Sequence, residues 1–372
     1  MVLCLILQYL GTGLALWALG RAPGADSGAP VTVLRPICGL ENNLAETLES
    51  TFSAPGAYEV IFCAADPADP AIALAQEIIA RHPEVPARVL VGDDKISGNP
   101  KLNNLVKGWK AATHDLILMS DSNVLLPPDY LARLRGQMGP GVGLVSSPPI
   151  GIRPEGFAAR LECAFLNTHQ ARWQMAGAAL DQGFAQGKML FWRRDVLERA
   201  GGIAALGTEM AEDVASTKVV RAAGLKVRLV GQFFEQPIGQ RDFAVVWGRQ
   251  IRWAKVRRMG FRALYVPEVL AGAALPFVAL LASGAFWALP GFLLAWYLPE
   301  ALLAARAGWP RQVEDIGAWV LRDALNPALW VLGWRGTSFE WRGNAMDKSQ
   351  VGGPVGPGSD KPGSDKPGSV KS

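Results

Sequence analysis

The sequence predicts an α/β fold with a mostly parallel sheet, joined to apolar helices at both ends. Strand-like and helix-like patterns alternate between residues 30 and 238, which is typical of crossover units that build such a sheet. The chain begins with about 20 uncharged residues, and a second uncharged run extends from Val269 to Pro299. Half of the 372 residues are hydrophobic, the upper limit of the usual share in soluble domains. We therefore expect an α/β domain held at a membrane.

Residues 1–21 are expected to form an uncleaved N-terminal transmembrane anchor. The run MVLCLILQYLGTGLALWALG is uncharged, precedes Arg21 and is long enough to span a bilayer core. A cleaved signal peptide is the alternative, but such a peptide carries Lys or Arg ahead of its apolar stretch. Neither residue precedes the run here. The anchor is therefore the favoured interpretation.

Acidic residues follow two predicted strands of the middle segment. Asp66 comes after the strand in YEVIFCAAD, and Asp121 follows the strand LILMS. In sheets of this kind ligands bind beyond the carboxyl ends of the strands, so both carboxylates are expected to line one crevice. The alternative is that these aspartates only start turns or cap the following helices.

The composition and motifs exclude several classes of ligand. No GxGxxG or GxxxxGK[ST] motif occurs, so neither a dinucleotide fold nor a P-loop is indicated. A net charge of +4 does not indicate nucleic acid as a partner. The four cysteines lack metal-binding spacing. A phosphate-bearing ligand would then need a divalent cation, Mg²⁺ or Mn²⁺, held by a strand-end carboxylate.

Two further motifs follow the predicted sheet strands. Glu212 and Asp213 begin the helical pattern EDVASTKVVRAAG, and the stretch VVWGRQIRWAKVRR contains Arg249, Arg252 and Trp253. Alone, the acid pair is explained by the helix dipole, which favours acids in a first turn. The basic stretch alone is explained by an amphipathic helix at a membrane surface. In order after the two strand-end aspartates, however, they form a more specific set.

This set resembles the pattern D, D, D, (Q/R)xxRW of membrane-bound inverting glycosyltransferases of the GT-A (Rossmann-like) fold. The stretches GNPKLNNL, VGLVSSPP, RPEGFAARLE and RRDVLERAGG are similar to those of ceramide glucosyltransferases, in a bacterial branch. The resemblance covers roughly residues 30 to 265 and continues into the C-terminal apolar region. It implies transfer of glucose from UDP-glucose, with inversion, to ceramide.

Alternatives to this function come from related classes of protein. Related bacterial enzymes glycosylate diacylglycerol from UDP-glucose or UDP-galactose, sometimes adding several sugars, and the sequence does not separate the two acceptors. A processive polysaccharide synthase shares the pattern but needs more membrane segments than the three or four visible here. A catalytically inactive membrane scaffold is a third alternative, and the intact Asp66, Asp121, Asp213 and Arg252 argue against it.

The resemblance also implies roles for individual residues. Asp66 lies at the uridine end of the donor, Asp121 binds the metal-diphosphate unit, and Asp213 is the catalytic base. Because the family's DxD is here DSN, Asp121 is the sole carboxylate of its motif. The other donor-side residues are Lys101, Arg249, Arg252 and Trp253, and the acceptor side holds His169 and Trp253. Lys101 is equally well explained as a solvated surface lysine, and His169 as a helix-surface residue.

The chain is divided into a GT-A domain at 30–238 and membrane-related segments after it. Residues 239–265 are predicted as a basic amphipathic interfacial helix, because seven basic residues alternate there with aromatic ones. Residues 266–336 are expected to form C-terminal membrane helices, of which the segment 316–334 could span, re-enter or lie in the interface. Residues 350–372 are rich in Gly, Pro, Ser, Asp and Lys, and are expected to be disordered.

The distribution of basic residues predicts the side of the membrane. Arg21 and the basic segment flank the membrane helices on the side of the α/β domain. The positive-inside rule then predicts a multi-pass protein of the bacterial inner membrane, with residues 22–265 in the cytoplasm.

Overall fold

The protein is described here by a computed structural model, which covers residues 1–21, 23–341 and 344–346. The predicted disordered tail at 350–372 lies outside these residues, so this expectation stays a prediction.

A seven-stranded sheet with the order β3-β2-β1-β4-β7-β5-β8 forms the centre of the α/β domain. The strands are β1 Val31–Ile37, β2 Tyr58–Ala64, β3 Ala87–Val91, β4 Leu116–Ser120, β5 Val142–Ser146, β6 Ile150–Glu155, β7 Met189–Arg193, β8 Lys226–Leu229, β9 Glu235–Gln240, β10 Phe339–Trp341 and β11 Asn344–Met346. Within the large sheet only β7 runs antiparallel to its neighbours β4 and β5. β6 pairs in parallel with β9, and β10 pairs with β11. The predicted mostly parallel sheet is therefore confirmed.

Fourteen α-helices occur in the described residues. They are α1 Val2–Leu19, α2 Leu44–Glu49, α3 Ala71–Arg81, α4 Pro100–Ala111, α5 Tyr130–Gln137, α6 Phe157–Ala164, α7 Arg172–Ala179, α8 Arg194–Arg199, α9 Glu212–Ala222, α10 Phe243–Gly260, α11 Arg262–Tyr265, α12 Ala274–Ala282, α13 Leu289–Ala307 and α14 Val313–Gly333. A π-helix at Phe165–Ala171 joins α6 to α7. The predicted boundary at residue 239 falls inside β9, because pairing with β6 continues to Gln240.

Helices cover both faces of the sheet. Successive residues of β1 point to opposite faces, so Val33 packs in a core with Ile78 of α3, and Leu34 packs in a second core with Leu105 of α4. The central strands are buried on both faces. This explains why their sequences are continuous apolar runs rather than alternating ones.

The apolar helices form a third core, in which α1 packs against α7 and α13, and α14 packs against α6 and α10. Two described segments are long and apolar enough to cross a bilayer, Val2–Leu19 and Phe286–Ala307. The pair Arg262–Ala271 and Ala274–Ala282, bent by 49°, would provide a third crossing if it is one broken span. These helices fit a membrane-associated protein.

Candidate active site

Asp121 stands where the apolar strand β4 ends, at the carboxyl edge of the sheet. Its Oδ1 lies 2.6 Å from the ammonium nitrogen of Lys101, and its Oδ2 lies 3.1 Å from that of Lys188. Burial would raise the pKa of the Asp121 carboxyl, but the two lysines outweigh this effect and hold that pKa well below its usual range. The carboxylate is therefore ionised at every pH at which the protein would work.

Lys101 connects Asp121 to the acidic start of α9. Asn99 accepts hydrogen bonds from the backbone N–H groups of Lys101 and Leu102 at 3.0 and 3.2 Å, which caps α4 and fixes Lys101 in its first turn. The Lys101 ammonium lies 2.7 Å from Glu212 Oε1. Burial lowers the pKa of Lys101, but Asp121 and Glu212 outweigh this and raise it. The side chain is 11% exposed, so the interpretation of Lys101 as a solvated surface lysine is wrong.

Asp213 lies in the first turn of α9, next to Gly187. Its Oδ2 accepts the Gly187 N–H at 3.2 Å, and its Oδ1 accepts the Val214 N–H at 2.8 Å. Burial, followed by the negative charge of Glu212, raises the pKa of Asp213 to about 6. A Cβ atom at Gly187 would lie 2.9 Å from Glu212 Oε1, so a larger residue there would require the Glu212 carboxylate to shift. Asp213 is therefore a carboxyl group that exchanges its proton near neutral pH.

Gly187 and Lys188 separate the two aspartates. The Gly187 carbonyl accepts a hydrogen bond from Lys101 at 2.5 Å, and the Lys188 carbonyl accepts the Asp121 N–H at 3.0 Å. Lys188 also donates to Asn123 Oδ1 at 2.8 Å. Lys188 was not predicted from the sequence. It faces Asp121 because β7 pairs antiparallel with β4, with Met189 opposite Ser120. The dipeptide Gly-Lys before a strand was the only signal available.

Asp66 follows β2 at the same edge of the sheet, but β1 lies between β2 and β4. Its side chain is exposed, and its Oδ1 accepts the Ala68 N–H at 2.8 Å. The structure thus places Asp66 at the same sheet edge as Asp121 and gives it a turn-forming contact. Its role at the uridine end of a donor stays a prediction.

The RxxRW segment lies on α10, with its first arginine directed to a buried carboxylate. Arg249 donates to Glu162 of α6, whose side chain is completely buried, and Arg241 lies 3.4 Å from the second Glu162 oxygen. The positive charge of Arg249 also affects the pKa of Lys188, which lies beside Asp121. Burial lowers the pKa of Lys188, Asp121 opposes this, and Arg249 lowers it further.

The other two residues of RxxRW lie further along α10. Trp253 packs against the core of Cys163, Leu166 and Ile238, and Arg252 is half-buried. Sequence reasoning missed Glu162, because a single acid in the helical pattern FAARLECA gives no sign of its burial. The donor and acceptor roles of Arg252 and Trp253 stay predictions.

His169 is buried in the π-helix, with 6% of its surface exposed. Its interpretation as a helix-surface residue is therefore wrong. Burial, then the positive charges of Arg322, Arg172 and Arg257, hold the pKa of His169 well below its usual range, so the imidazole is neutral at pH 7. Among the described residues the buried Nδ1 atom of His169 has no hydrogen-bond partner. The place of His169 on the acceptor side stays a prediction.

The residues at the carboxyl edge fit a metal ion that binds together with a diphosphate. Among the described residues there is no group of three or more His, Cys, Asp or Glu side chains that could hold a metal ion. Mg²⁺ and Mn²⁺, however, commonly use one or two carboxylates and complete their shell with phosphate oxygens and water. The ionised Asp121 supplies one such carboxylate, so a metal site here would depend on the bound nucleotide.

Comparisons with known proteins show the family of the chain. The sequence profile of glycosyl transferase family 21 matches residues 2–352. Ceramide glucosyltransferase 3 of Caenorhabditis elegans is 28% identical over 261 residues, which are 69% of this chain and 57% of that protein. Ceramide glucosyltransferase of Komagataella phaffii is 31% identical over 238 residues, 56% of this chain and 47% of that protein. The chain thus spans about half the length of the curated relatives it matches.

The fold also has a solved counterpart. Mannosyltransferase PcManGT from Pyrobaculum calidifontis, determined in complex with GDP-Man and Mn²⁺, aligns with a TM-score of 0.54 and 17% identity. The alignment covers 89% of this chain and 97% of that one. At this identity the likeness concerns the fold alone, and it confirms the predicted glycosyltransferase fold class.

Proposed function

Because the chain belongs to glycosyl transferase family 21, we propose that it transfers glucose from UDP-glucose, with inversion, to the hydroxyl group of ceramide in a membrane. The observation that carries the proposal is the arrangement around Gly187 and Lys188. An ionised carboxylate flanked by two ammonium groups lies on one side, and a carboxyl group with a raised pKa lies on the other. The similarity to two ceramide glucosyltransferases supports the choice of acceptor.

The donor side is the group of Asp121, Lys101 and Lys188. A UDP-sugar has a diphosphate whose negative charge grows as the sugar leaves, and ammonium groups stabilise that charge. Asp121 would hold Mg²⁺ or Mn²⁺ there, and the metal would neutralise the leaving diphosphate. Arg249 adds positive charge on the same side, since it lies close enough to affect the pKa of Lys188. Asp66 and Arg252 complete the proposed donor site.

The base is Asp213. The acceptor oxygen forms a bond to the anomeric carbon, the bond from that carbon to UDP breaks, and the hydroxyl proton passes to the Asp213 carboxylate. Attack opposite the leaving group inverts the configuration and converts an α-linked donor into a β-glycoside. A pKa near 6 suits this role, because the group is mostly ionised at pH 7 yet still basic enough to accept a proton. His169 and Trp253 line the acceptor side in this proposal.

The membrane provides both the acceptor and the orientation of the enzyme. We propose that residues 22–265 lie on the cytoplasmic side of a bacterial inner membrane, because nucleotide sugars are made in the cytoplasm. Arg21 and the basic helix α10 lie at the ends of the apolar helices, which is the arrangement that the positive-inside rule describes. The hydroxyl group of ceramide lies at the level of the head groups, so the active site must open close to the membrane surface.

The test is a transfer assay with the full chain in lipid vesicles. Ceramide or diacylglycerol is the acceptor, UDP-glucose or UDP-galactose the donor, and Mg²⁺ or Mn²⁺ is present. We expect UDP release and a β-glucosylceramide product, identified by mass spectrometry and digestion with a β-glucosidase. Product from diacylglycerol alone would contradict the acceptor, and product from UDP-galactose alone would contradict the donor. Absence of UDP release with every pair would favour a catalytically inactive scaffold.

A further inference from the structure

Helix α14, Val313–Gly333, has its apolar residues outside and most of its charged residues inside. Apart from Glu314 in the first turn, every exposed residue of this helix is apolar. The large ones are Val313, Ile316, Val320 and Val331, and the others are alanine or glycine. Their spacing of three or four residues puts them in one stripe along the helix, called here the outer stripe. A surface helix of a water-soluble domain has the opposite arrangement.

The inner face of α14 contains charges that are paired within the protein. Arg322 donates to the two carboxylate oxygens of Glu300 at 3.1 and 3.0 Å, to Asp323 at 2.9 Å and to the Thr168 hydroxyl at 2.5 Å. Asp323 also accepts the indole N–H of Trp296 at 3.0 Å. Charged residues at membrane depth are tolerated when they face inward and pair in this way. The charges of α14 therefore do not oppose contact of its outer stripe with lipid.

The same inner face packs against α6 of the α/β domain and against the basic helix α10. Near the start of α14, Arg160 of α6 donates to Asp315 at 2.6 Å. Near the end, the hydroxyl of Tyr265 in α11 donates to the Trp330 carbonyl at 2.9 Å. A crossing of the bilayer by α14 would draw α6 and α10, with their arginines, into the hydrocarbon. A helix that lies along the membrane surface avoids this, because only its outer stripe enters the lipid.

We propose that α14 lies in the plane of the membrane, with its outer stripe in contact with the acyl chains. The stripe runs from Val313 to Val331, 18 steps along the helix, or about 27 Å. Exposed arginines flank it at both ends, Arg311 and Arg335, and in the in-plane orientation both reach head groups of the same leaflet. The packing of α14 on α6 and α10 favours this interfacial placement over the other two that the sequence left open. The proposal does not depend on the proposed chemistry.

The placement has a consequence for the α/β domain. Arg322 of α14 bonds Thr168, the neighbour of His169 in the π-helix. An in-plane α14 therefore holds the π-helix against the membrane surface, where a lipid hydroxyl would arrive.

Depth measurements on the full chain test the proposal. Single cysteines are introduced at Val313, Val320 and Val331 in a Cys38→Ser background, since Cys38 is the exposed native cysteine. Each is labelled with a nitroxide and reconstituted in vesicles of phosphatidylcholine and phosphatidylglycerol. Accessibility to oxygen and to a water-soluble nickel complex gives the depth. We expect the three labels at one depth, about 5–10 Å below the head groups.

Two further labels calibrate the depth scale in the same background. Leu10→Cys reports the middle of α1, and Thr208→Cys reports an exposed position of the α/β domain in water. A profile in which Val320 is deepest and the two end positions are shallow would overturn the proposal in favour of a crossing. Accessibility like that of Thr208 at all three positions would overturn it in favour of an aqueous surface. Spin coupling between chains at Val320 would show that a second copy covers the stripe, and would also overturn it.

Discussion

Replacement of Asp213 by asparagine separates the proposed base from the donor site. The amide keeps the size of the side chain but cannot accept a proton at neutral pH, so turnover is expected to fall by about 100-fold or more. Donor binding is expected to change little, because Asp121, Lys101 and Lys188 stay in place. The Asp213 carboxylate accepts hydrogen bonds from the backbone N–H groups of Gly187 and Val214.

The pH dependence of kcat/KM provides a second quantitative test of Asp213 as the base. A base must be ionised to act, so activity is lost as the pH falls through the pKa of Asp213, which burial and Glu212 raise to about 6. With that value about nine tenths of the groups are ionised at pH 7 and about one tenth at pH 5, so kcat/KM should fall by about tenfold between them. The asparagine variant should lack this acidic limb.

The assay measures initial rates of UDP release from pH 5 to pH 8 and, in parallel, UDP-glucose affinity by calorimetry with Mn²⁺ present. Circular dichroism of each variant at the lowest pH controls for loss of fold. If affinity falls in parallel with turnover, Asp213 belongs to the donor site and the base lies elsewhere. A profile of the wild-type protein that is flat between pH 5 and pH 7 would contradict the assignment as well.

Four other predictions concern the donor side and the orientation. Asp121→Ala should abolish transfer and metal-dependent hydrolysis of UDP-glucose together, and activity within about threefold of wild type would contradict its role. Glu162→Gln should raise KM for UDP-glucose by about tenfold, because Arg249 loses its charged partner. The control Glu268→Gln removes the charged partner of Arg257 at the other end of α10 and should leave KM unchanged. Calorimetry should detect Mn²⁺ binding with UDP present and none without it, and tight binding of Mn²⁺ alone would disprove a nucleotide-dependent site. Engineered cysteines in 22–265 should resist a membrane-impermeant reagent in intact cells, and their labelling would refute the cytoplasmic placement.

The sequence could predict the parts of the site that lie on strand ends and helix starts. An apolar run that stops at an acid predicts that Asp121 lies at the end of a strand, and an acid pair before a helical pattern predicts that Asp213 lies in a first helical turn, whereas their roles were implied only by the family resemblance. Both signals are local in the chain. Lys188 could not be predicted, because its approach to Asp121 depends on β7 entering the sheet antiparallel beside β4. Lys101 was ambiguous for the same reason, since its partners Asp121 and Glu212 are brought to it only by the fold.

The sequence was also unable to place α14, for a reason of geometry. Arg322 and Asp323 lower the hydropathy averaged over consecutive residues, whichever way their side chains point. The structure turns both inward and leaves an apolar stripe outside. The bounds Val313–Gly333 differ by only a few residues from the predicted 316–334, so the difficulty was the direction of the side chains and not the existence of the helix.

The π-helix at Phe165–Ala171 connects the parts of the molecule that the proposed reaction needs together. Thr168 accepts a hydrogen bond from Arg322 of α14, and Gln170 donates to Gln250 of α10, the residue after Arg249. Insertions of this type are uncommon and are found mostly at functional sites. Because one seven-residue segment bonds both to the RxxRW helix and to α14, a shift of α14 would move His169 and α10 together. These bonds would couple the proposed membrane contact of α14 to the proposed active site, so an enzyme extracted from lipid should lose transfer to a lipid acceptor before it loses donor binding.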